Sequence, residues 1–303
     1  MAFDFRDGGV CVATVSRPSG AMPKVNMAGF HAAAGAAPEA LLQKIGKELH
    51  ADRYRCTMLL AAGDYQLLSV DAPNVPPDEL KTAIRWRLKD MLDYRVDDAT
   101  IDVLDVPVNQ NAAVRSHLMY AVAARNQTIE QRQIQFGNAK IPLSVIDIPE
   151  MAQRNLSALL EPEGRGVAML SFEPDGGLLT ITFAGELYLS RRIDAALAQL
   201  TSSDVEQQAA FHDRVTLELQ RSLDHFDRQY HFITLSKLVL GPLGKAAAGL
   251  SAHLAANLYL PVESFKFEDV IDISTAPELA SPETQQRYFM AIGAALRHEE
   301  TVL

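Results

Sequence analysis

Between Gly166 and Ile193 the chain passes through three apolar runs, GVAMLSFE, LLTITFA and ELYLSRRI, joined only by PDGG and AGE. Links this short restrict the pairing, because a parallel neighbour needs a crossover of about a dozen residues or more. The segment is therefore expected to form an antiparallel three-stranded meander. Its first turn allows two readings. Asp175-Gly176-Gly177 is compatible with a plain hairpin turn, and a glycine pair after a strand is also compatible with a loop that holds a nucleotide phosphate. Downstream, Val215, Leu219, Leu223, Phe226 and Tyr230 recur at helical spacing and predict a helix over 209–230, with Asp224 and Arg228 as an i,i+4 pair on its outer side. Thr201-Ser202-Ser203-Asp204 reads as a break before it. A buried strand (ITLSKLVLG), a small-residue helix over 244–258, a strand (LPVESFKF) and a final helix follow, the last opened by N-cap and N1 chemistry at Ser281-Pro282.

The first half has the same order of strands and then helices. GGVCVATVS reads as a strand, and 17–37 holds a turn, a short strand over 24–31 and a loop. Pro38-Glu39 opens a helix over 39–50 with Leu41, Leu42, Ile45 and Leu49 on one face. RCTMLLA and YQLLSVDA are strands around a Gly63-Asp64 turn. A helix begins near Pro77 with the stripe Leu80, Ile84, Leu88 and Met91/Leu92, and Trp86 sits about 200° from Ile84 around the axis. Strands over 100–107 and 116–123, a helix over 126–137 ending at Gly137, the strand IPLSVIDIP and a helix over 150–160 complete the half. The repetition predicts a mixed α/β chain of two similar domains divided near 150–160.

The bulk properties remove several function classes. A chain of 303 residues buries roughly three quarters of its unfolded surface, so it needs no disulfide or metal staple. A net charge of −10 argues against nucleic acid, whose phosphates demand clustered Lys and Arg. Cys11 and Cys56 each lie in an apolar run and read as core thiols. The eight histidines are scattered, no Cys/His set has zinc spacing, and no Ser/His/Asp arrangement is recognisable. His212, His225 and His231 do not share a helical face. The opening MAFDFRDGGV has no basic region followed by a long apolar run, and no stretch reaches the roughly 18 apolar residues of a membrane span. A cytosolic protein is expected.

Three stretches carry a family resemblance. VAARNQTIEQRQIQFGNAKIPLSVIDIPEMAQRNL resembles the segment joining the halves of PilM-type actin-like proteins. GELYLSRRID resembles the strand after their second phosphate loop, and LVLGPLGKAAAGLSAHLAANLYLPVE with AIGAALR resembles their adenosine loop and closing helix. YQLLSVDAPNVPPDELKTAIRWRLKDMLDYRVDDATIDVLDVP and LELQRSLDHFDRQ resemble the MshI branch, from mannose-sensitive haemagglutinin (MSHA) pilus systems. The resemblance spans nearly the whole chain. It implies an actin-like fold of two RNase-H-like domains with an inter-domain cleft. The first would comprise 1–150 plus helix 282–298 with an inserted subdomain at about 76–125, and the second 151–281. It also implies a cytoplasmic scaffold for type IV pilus or type II secretion machinery, held at the inner membrane by the short cytoplasmic tail of a PilN-type protein. Self-association is left open.

Nucleotide-binding members carry Asp-Ile-Gly and small hydroxyl residues in both phosphate loops and a glycine run in the adenosine loop. Such loops bring backbone N–H groups against phosphate, and a carboxylate holds Mg²⁺. In the first loop Asp4 is retained, but Arg6 and Asp7 replace glycine and serine. In the second, Ser171 stands at the metal aspartate, Glu173 at the glycine, and Asp175, Gly176 and Gly177 at the hydroxyl positions. In the third, Pro242 and Leu243 replace glycines while Gly244 and Gly249 remain. Carboxylates at 173 and 175 would oppose a triphosphate, since unit charges about 4 Å apart repel by about 4 kcal/mol at an effective dielectric near 20. The expectation is a vestigial site with no cofactor. The rival is Mg-ATP on a repurposed site, with Asp4 and Asp175 as metal carboxylates and Gly176-Gly177 as the cradle. Trp86, between Arg85 and Arg87, has two readings: packing against a neighbouring subdomain, which is the plainer one, and a partner or membrane-surface contact, because exposed Trp and Arg are enriched at interface hot spots. Arg191-Arg192 ends a strand and is expected to face solvent or pair with an acid, with a phosphate role as the minor reading.

Overall fold

A computed structural model describes residues 1–108, 117–195, 197–201, 204–244 and 247–298. Ser116, expected to begin a strand, Ser202-Ser203 in the expected break and Lys245-Ala246 in the expected small-residue helix lie outside these residues. The chain divides into two compact units, one of residues 1–30 and 149–303 and one of residues 31–148.

The first unit begins with β1 (Ala2–Arg6), β2 (Gly9–Ser16) and β3 (Lys24–Ala32) in the order β3-β2-β1. Sequence analysis read the strands at 8–16 and 24–31 and missed β1, a short run that starts at the second residue. Arg6 pairs with Gly9 across a two-residue Asp7-Gly8 loop, and Gly8 takes φ 79°. That left-handed conformation is the one the tightest hairpin turns require, and glycine adopts it without penalty.

The second unit holds α1 (Pro38–Glu48), β4 (Cys56–Leu59), β5 (Tyr65–Asp71), α2 (Leu80–Leu88), β6 (Ala99–Asp105), β7 (Leu118–Arg125), α3 (Asn126–Asn138) and β8 (Leu143–Asp147). β4 and β8 pair in parallel, and α1 packs on α3. The strands β5-β7-β6 form a separate antiparallel sheet. α2 lies on it, burying Ile84 and Leu88 against Val70, Met119, Ala121 and Ala123. α2 begins three residues after Pro77, because Pro76-Pro77 makes a turn closed by the Glu79 amide on the Pro76 carbonyl.

The chain returns to the first unit at α4 (Pro149–Ala158) and enters the meander β9 (Gly166–Glu173), β10 (Gly176–Phe183) and β11 (Glu186–Ile193). α5 (Leu197–Leu200), α6 (Val205–Gln229), β12 (Leu235–Leu240), α7 (Ala247–Asn257), β13 (Val262–Ser264) and α8 (Pro282–Ala295) follow. β12 joins β9 in parallel and β13 joins β12 in parallel, giving the mixed order β11-β10-β9-β12-β13. β9 and β10 are buried on both faces, which is why they read as continuous apolar runs.

α6 begins four residues earlier than its stripe suggests. Asp204, read as part of a break, is the N-cap and accepts from the Glu206 and Gln207 amides at 2.9 and 3.3 Å. The expected strand at 260–267 shortens to β13, since Phe267–Asp269 turns into a 3-10 helix. α4 and α8 cross closely at Gly293. A Cβ there would run into the Ala152 carbonyl, and Asn155 Nδ2 donates to the Gly293 carbonyl at 2.9 Å.

Candidate functional site

The two expected phosphate loops are both two-residue hairpin turns in the first unit, Asp7-Gly8 between β1 and β2 and Pro174-Asp175 between β9 and β10. Arg6 and Glu173 occupy equivalent places, each the last strand residue before its turn. They are bonded to each other. Arg6 Nη1 donates to Glu173 Oε2 and Nη2 to Oε1 at 3.2 Å, a bidentate fork across hairpins 167 residues apart. Arg6 Nε also donates to Asp4 Oδ2 at 2.6 Å. One guanidinium thus joins both carboxylates, a geometry that Lys could not reproduce.

The group is secluded from water. The side chains of Arg6, Asp4 and Glu173 are 21%, 11% and 15% exposed. Burial pushes Glu173 up to about 7, an effect opposed by Arg6 and reinforced by Asp4 and Asp175. Burial likewise raises Asp4, against the pull of Arg6. Burial works against the charge of Arg6, yet Asp4 and Glu173 hold its pKa above the ordinary value. Cys11, opposite Asp4 in the β1–β2 register, is pushed up to about 12 by burial and by Asp4, and its thiol donates to the Arg287 carbonyl at 3.4 Å.

The other expected loop residues have different neighbours. Ser171 is buried, and its hydroxyl donates to Gln153 Oε1 at 2.5 Å. Gln153, on α4, turns its amide nitrogen to the Met169 and Leu178 carbonyls and to Thr180 Oγ1. Ser171 therefore belongs to a polar knot inside the sheet, apart from the Arg6 cluster. Asp175 sits exposed at the turn. Gly176 takes φ 140°, and a Cβ there would come within 2.8 Å of the Ile193 carbonyl oxygen. A Cβ on Gly177 would meet the Phe172 ring at 3.0 Å. Backbone conformation and packing together demand glycine at 176, and packing disfavours a larger residue at 177. Gly244 takes φ 57° beside Glu283, Gly249 faces the His212 ring, and Leu243 is buried.

In the second unit Trp86 is 71% exposed, as its offset from the α2 stripe requires. Its neighbours are tied down. Arg85 reaches Asp97 at 3.8 Å and the Ala99 carbonyl at 3.5 Å, and Arg87 donates to the Asp71 carbonyl at 2.9 Å. They clip the helix to its sheet and leave Trp86 as the free apolar group. In the first unit, Arg192 pairs with the buried Glu150 at 3.1 Å, and Arg191 faces solvent. His212 stacks near His253, which pairs with Asp213 at 3.4 Å. Among the described residues no group of His, Cys, Asp and Glu is arranged to hold a metal ion, and no helix is long and apolar enough to cross a membrane.

Sequence reasoning singled out Arg6 and Glu173 separately, each as a replacement for a loop glycine. It missed that they are partners. The available signal was charge, since a cation stands before one expected loop and an anion at the equivalent place before the other. Gln153 carried no such signal.

No protein-family model and no curated protein matches the chain. Solved structures do. A chain of a PilM–PilN type IV pilus biogenesis complex superposes with a TM-score of 0.72 at 19% identity, covering 97% of both chains. A Bacteroides thetaiotaomicron protein with an actin-like ATPase fold and unknown function superposes with a TM-score of 0.50 at 10% identity, covering 92% of this chain and 94% of its own. The fold is actin-like.

Proposed function

We propose that this chain is a cytoplasmic actin-like scaffold of a type IV pilus of the MSHA kind, or of related secretion machinery, that holds the cytoplasmic tail of a PilN-type inner-membrane protein and has given up nucleotide chemistry. The likeness in fold to a PilM–PilN complex over nearly the whole chain supports the assembly role. The division into actin-like domains at 1–150 with 282–298, and at 151–281, belongs to the same reading. Trp86, between Arg85 and Arg87, is its docking contact, because a large apolar side chain left in water is the usual raw material of an interface.

The observation that carries the loss of nucleotide chemistry is the Arg6 fork. A magnesium nucleotide needs free carboxylates beside glycine backbone. Here Asp4 and Glu173 are taken by a guanidinium, and the residues do not fit the group. The repurposed site fares no better, for Asp4 is taken and Gly176-Gly177 is covered by Ile193 and Phe172. Isothermal titration with Mg-ATP is expected to give no binding heat up to millimolar nucleotide. Micromolar binding would overturn the reading and restore the ATPase alternative.

A further inference from the structure

In the first unit, α6 and α7 meet through a pair of histidines. His212 on α6 and His253 on α7 bring their ring centroids to 5.3 Å, with the planes 40° apart. The His212 ring also lies against the α7 backbone, 3.5 Å from where a Cβ on Gly249 would stand. Asp213 Oδ1 reaches His253 Nε2 at 3.4 Å, but the Asp213 side chain is 76% exposed, so solvent screens it. Other charges nearby are engaged elsewhere. α7 carries no charged or titratable residue besides His253, and α5 carries none. On β13, Glu263 holds Lys237 at 2.8 Å. On β11, Glu186 holds Arg154 at 3.2 Å, Arg192 holds Glu150 at 3.1 Å, and Arg191 faces solvent. On α6, Arg214 donates to the Asp194 carbonyl at 3.2 Å. Two protonated rings at this distance would repel, and one exposed carboxylate can offset only one of them.

We propose that the His212–His253 contact is a proton-operated clasp between α6 and the first half of α7, closed while the pair holds at most one proton and biased toward opening by the second. The first half of α7 has little else to hold it. Leu250 is the only buried side chain described between 248 and 253, and Gly249 favours the opened chain. The second half stays in place through the buried Leu254 and through Gln220 Nε2, which donates to the Asn257 carbonyl at 3.0 Å. Burial holds His212 below the ordinary 6.5, His253 lowers it further, and Asp213 opposes them. An opened pair therefore takes up its proton at a higher pH than the closed one, so the clasp is tightest above 6.5 and loosens as pH falls. The clasp does not depend on the scaffold reading.

The test is backbone amide exchange of the full chain, read by mass spectrometry over 248–254 at about pH 7.5 and about pH 5.5, each rate divided by the intrinsic rate of the unfolded amide at that pH. Protection is expected to fall at least about threefold at the lower value, and one proton taken up one unit below 6.5 limits the fall to about tenfold. His212→Gln should abolish the fall and His253→Gln should shrink it. A fall of less than about threefold in the unaltered chain, or the same fall in His212→Gln, overturns the proposal. The ring carbon-bound proton signals of His212 give a second reading in the unaltered chain, which stands even where a variant fails to fold. Their titration midpoint is expected below 6.5, and a midpoint at or above 6.5 overturns the proposal as well.

Discussion

Replacing Arg6 with methionine keeps the length of the side chain and removes its charge. Asp4 and Glu173 would then face one another in a secluded site with no cation between them. Breaking a buried ion pair by deleting one partner typically costs about 3–5 kcal/mol, because the stranded charge keeps its desolvation penalty. Two carboxylates are stranded here, yet each can escape by taking a proton. At pH 8 the full 3–5 kcal/mol is expected, roughly a third of a typical folding free energy. At pH 5 Glu173, which burial lifts to about 7 even beside Arg6, carries a proton, and burial works in the same direction on Asp4, so less charge is stranded. The cost should therefore be smaller at pH 5 than at pH 8. Urea unfolding followed by circular dichroism at both pH values measures it. The further substitutions Asp4→Asn and Glu173→Gln should restore most of the loss at pH 8. A cost below about 1 kcal/mol at pH 8, or the same cost at both values, would show that Arg6 is not the counter-ion of a buried pair.

Three more expectations are measurable. Glu173 has a folded pKa near 7 against an ordinary 4.5, so between those values the folded state holds a proton that the unfolded chain releases, and stability falls as pH rises through that window. Glu173→Gln should abolish this slope, on the order of 3 kcal/mol from pH 4.5 to 7, and an unchanged pH profile of unfolding would refute the assignment. Gly293→Ala drives a methyl group into the Ala152 carbonyl where α4 crosses α8 and should lower stability by about 1–3 kcal/mol, read as a shift in the urea midpoint. Trp86→Ala should weaken pull-down of a PilN-type cytoplasmic tail while moving unfolding by less than about 0.5 kcal/mol, and undiminished pull-down would free Trp86 from the docking role.

What the sequence discloses here depends on how far apart the interacting residues lie. The meander at 166–193 was legible because its links are too short for any other pairing, and the stripe of α6 because its period repeats over many turns. β1 was missed because five residues offer too little alternation, and the start of α6 because an N-cap and a loop residue look alike until the amides that the cap accepts are known. Arg6 and Glu173 exceed what periodicity can reveal. They lie 167 residues apart, at the ends of strands whose turns each make ordinary sense alone. Read separately, the first is a broken phosphate loop and the second a misplaced acid. Only the structure shows that the cation of one hairpin is the partner of the acid of the other. The Arg6–Glu173 fork joins the two hairpins by a bond internal to the chain. On the proposed scaffold reading such a bond has a use, since it would make the shape of this site independent of nucleotide.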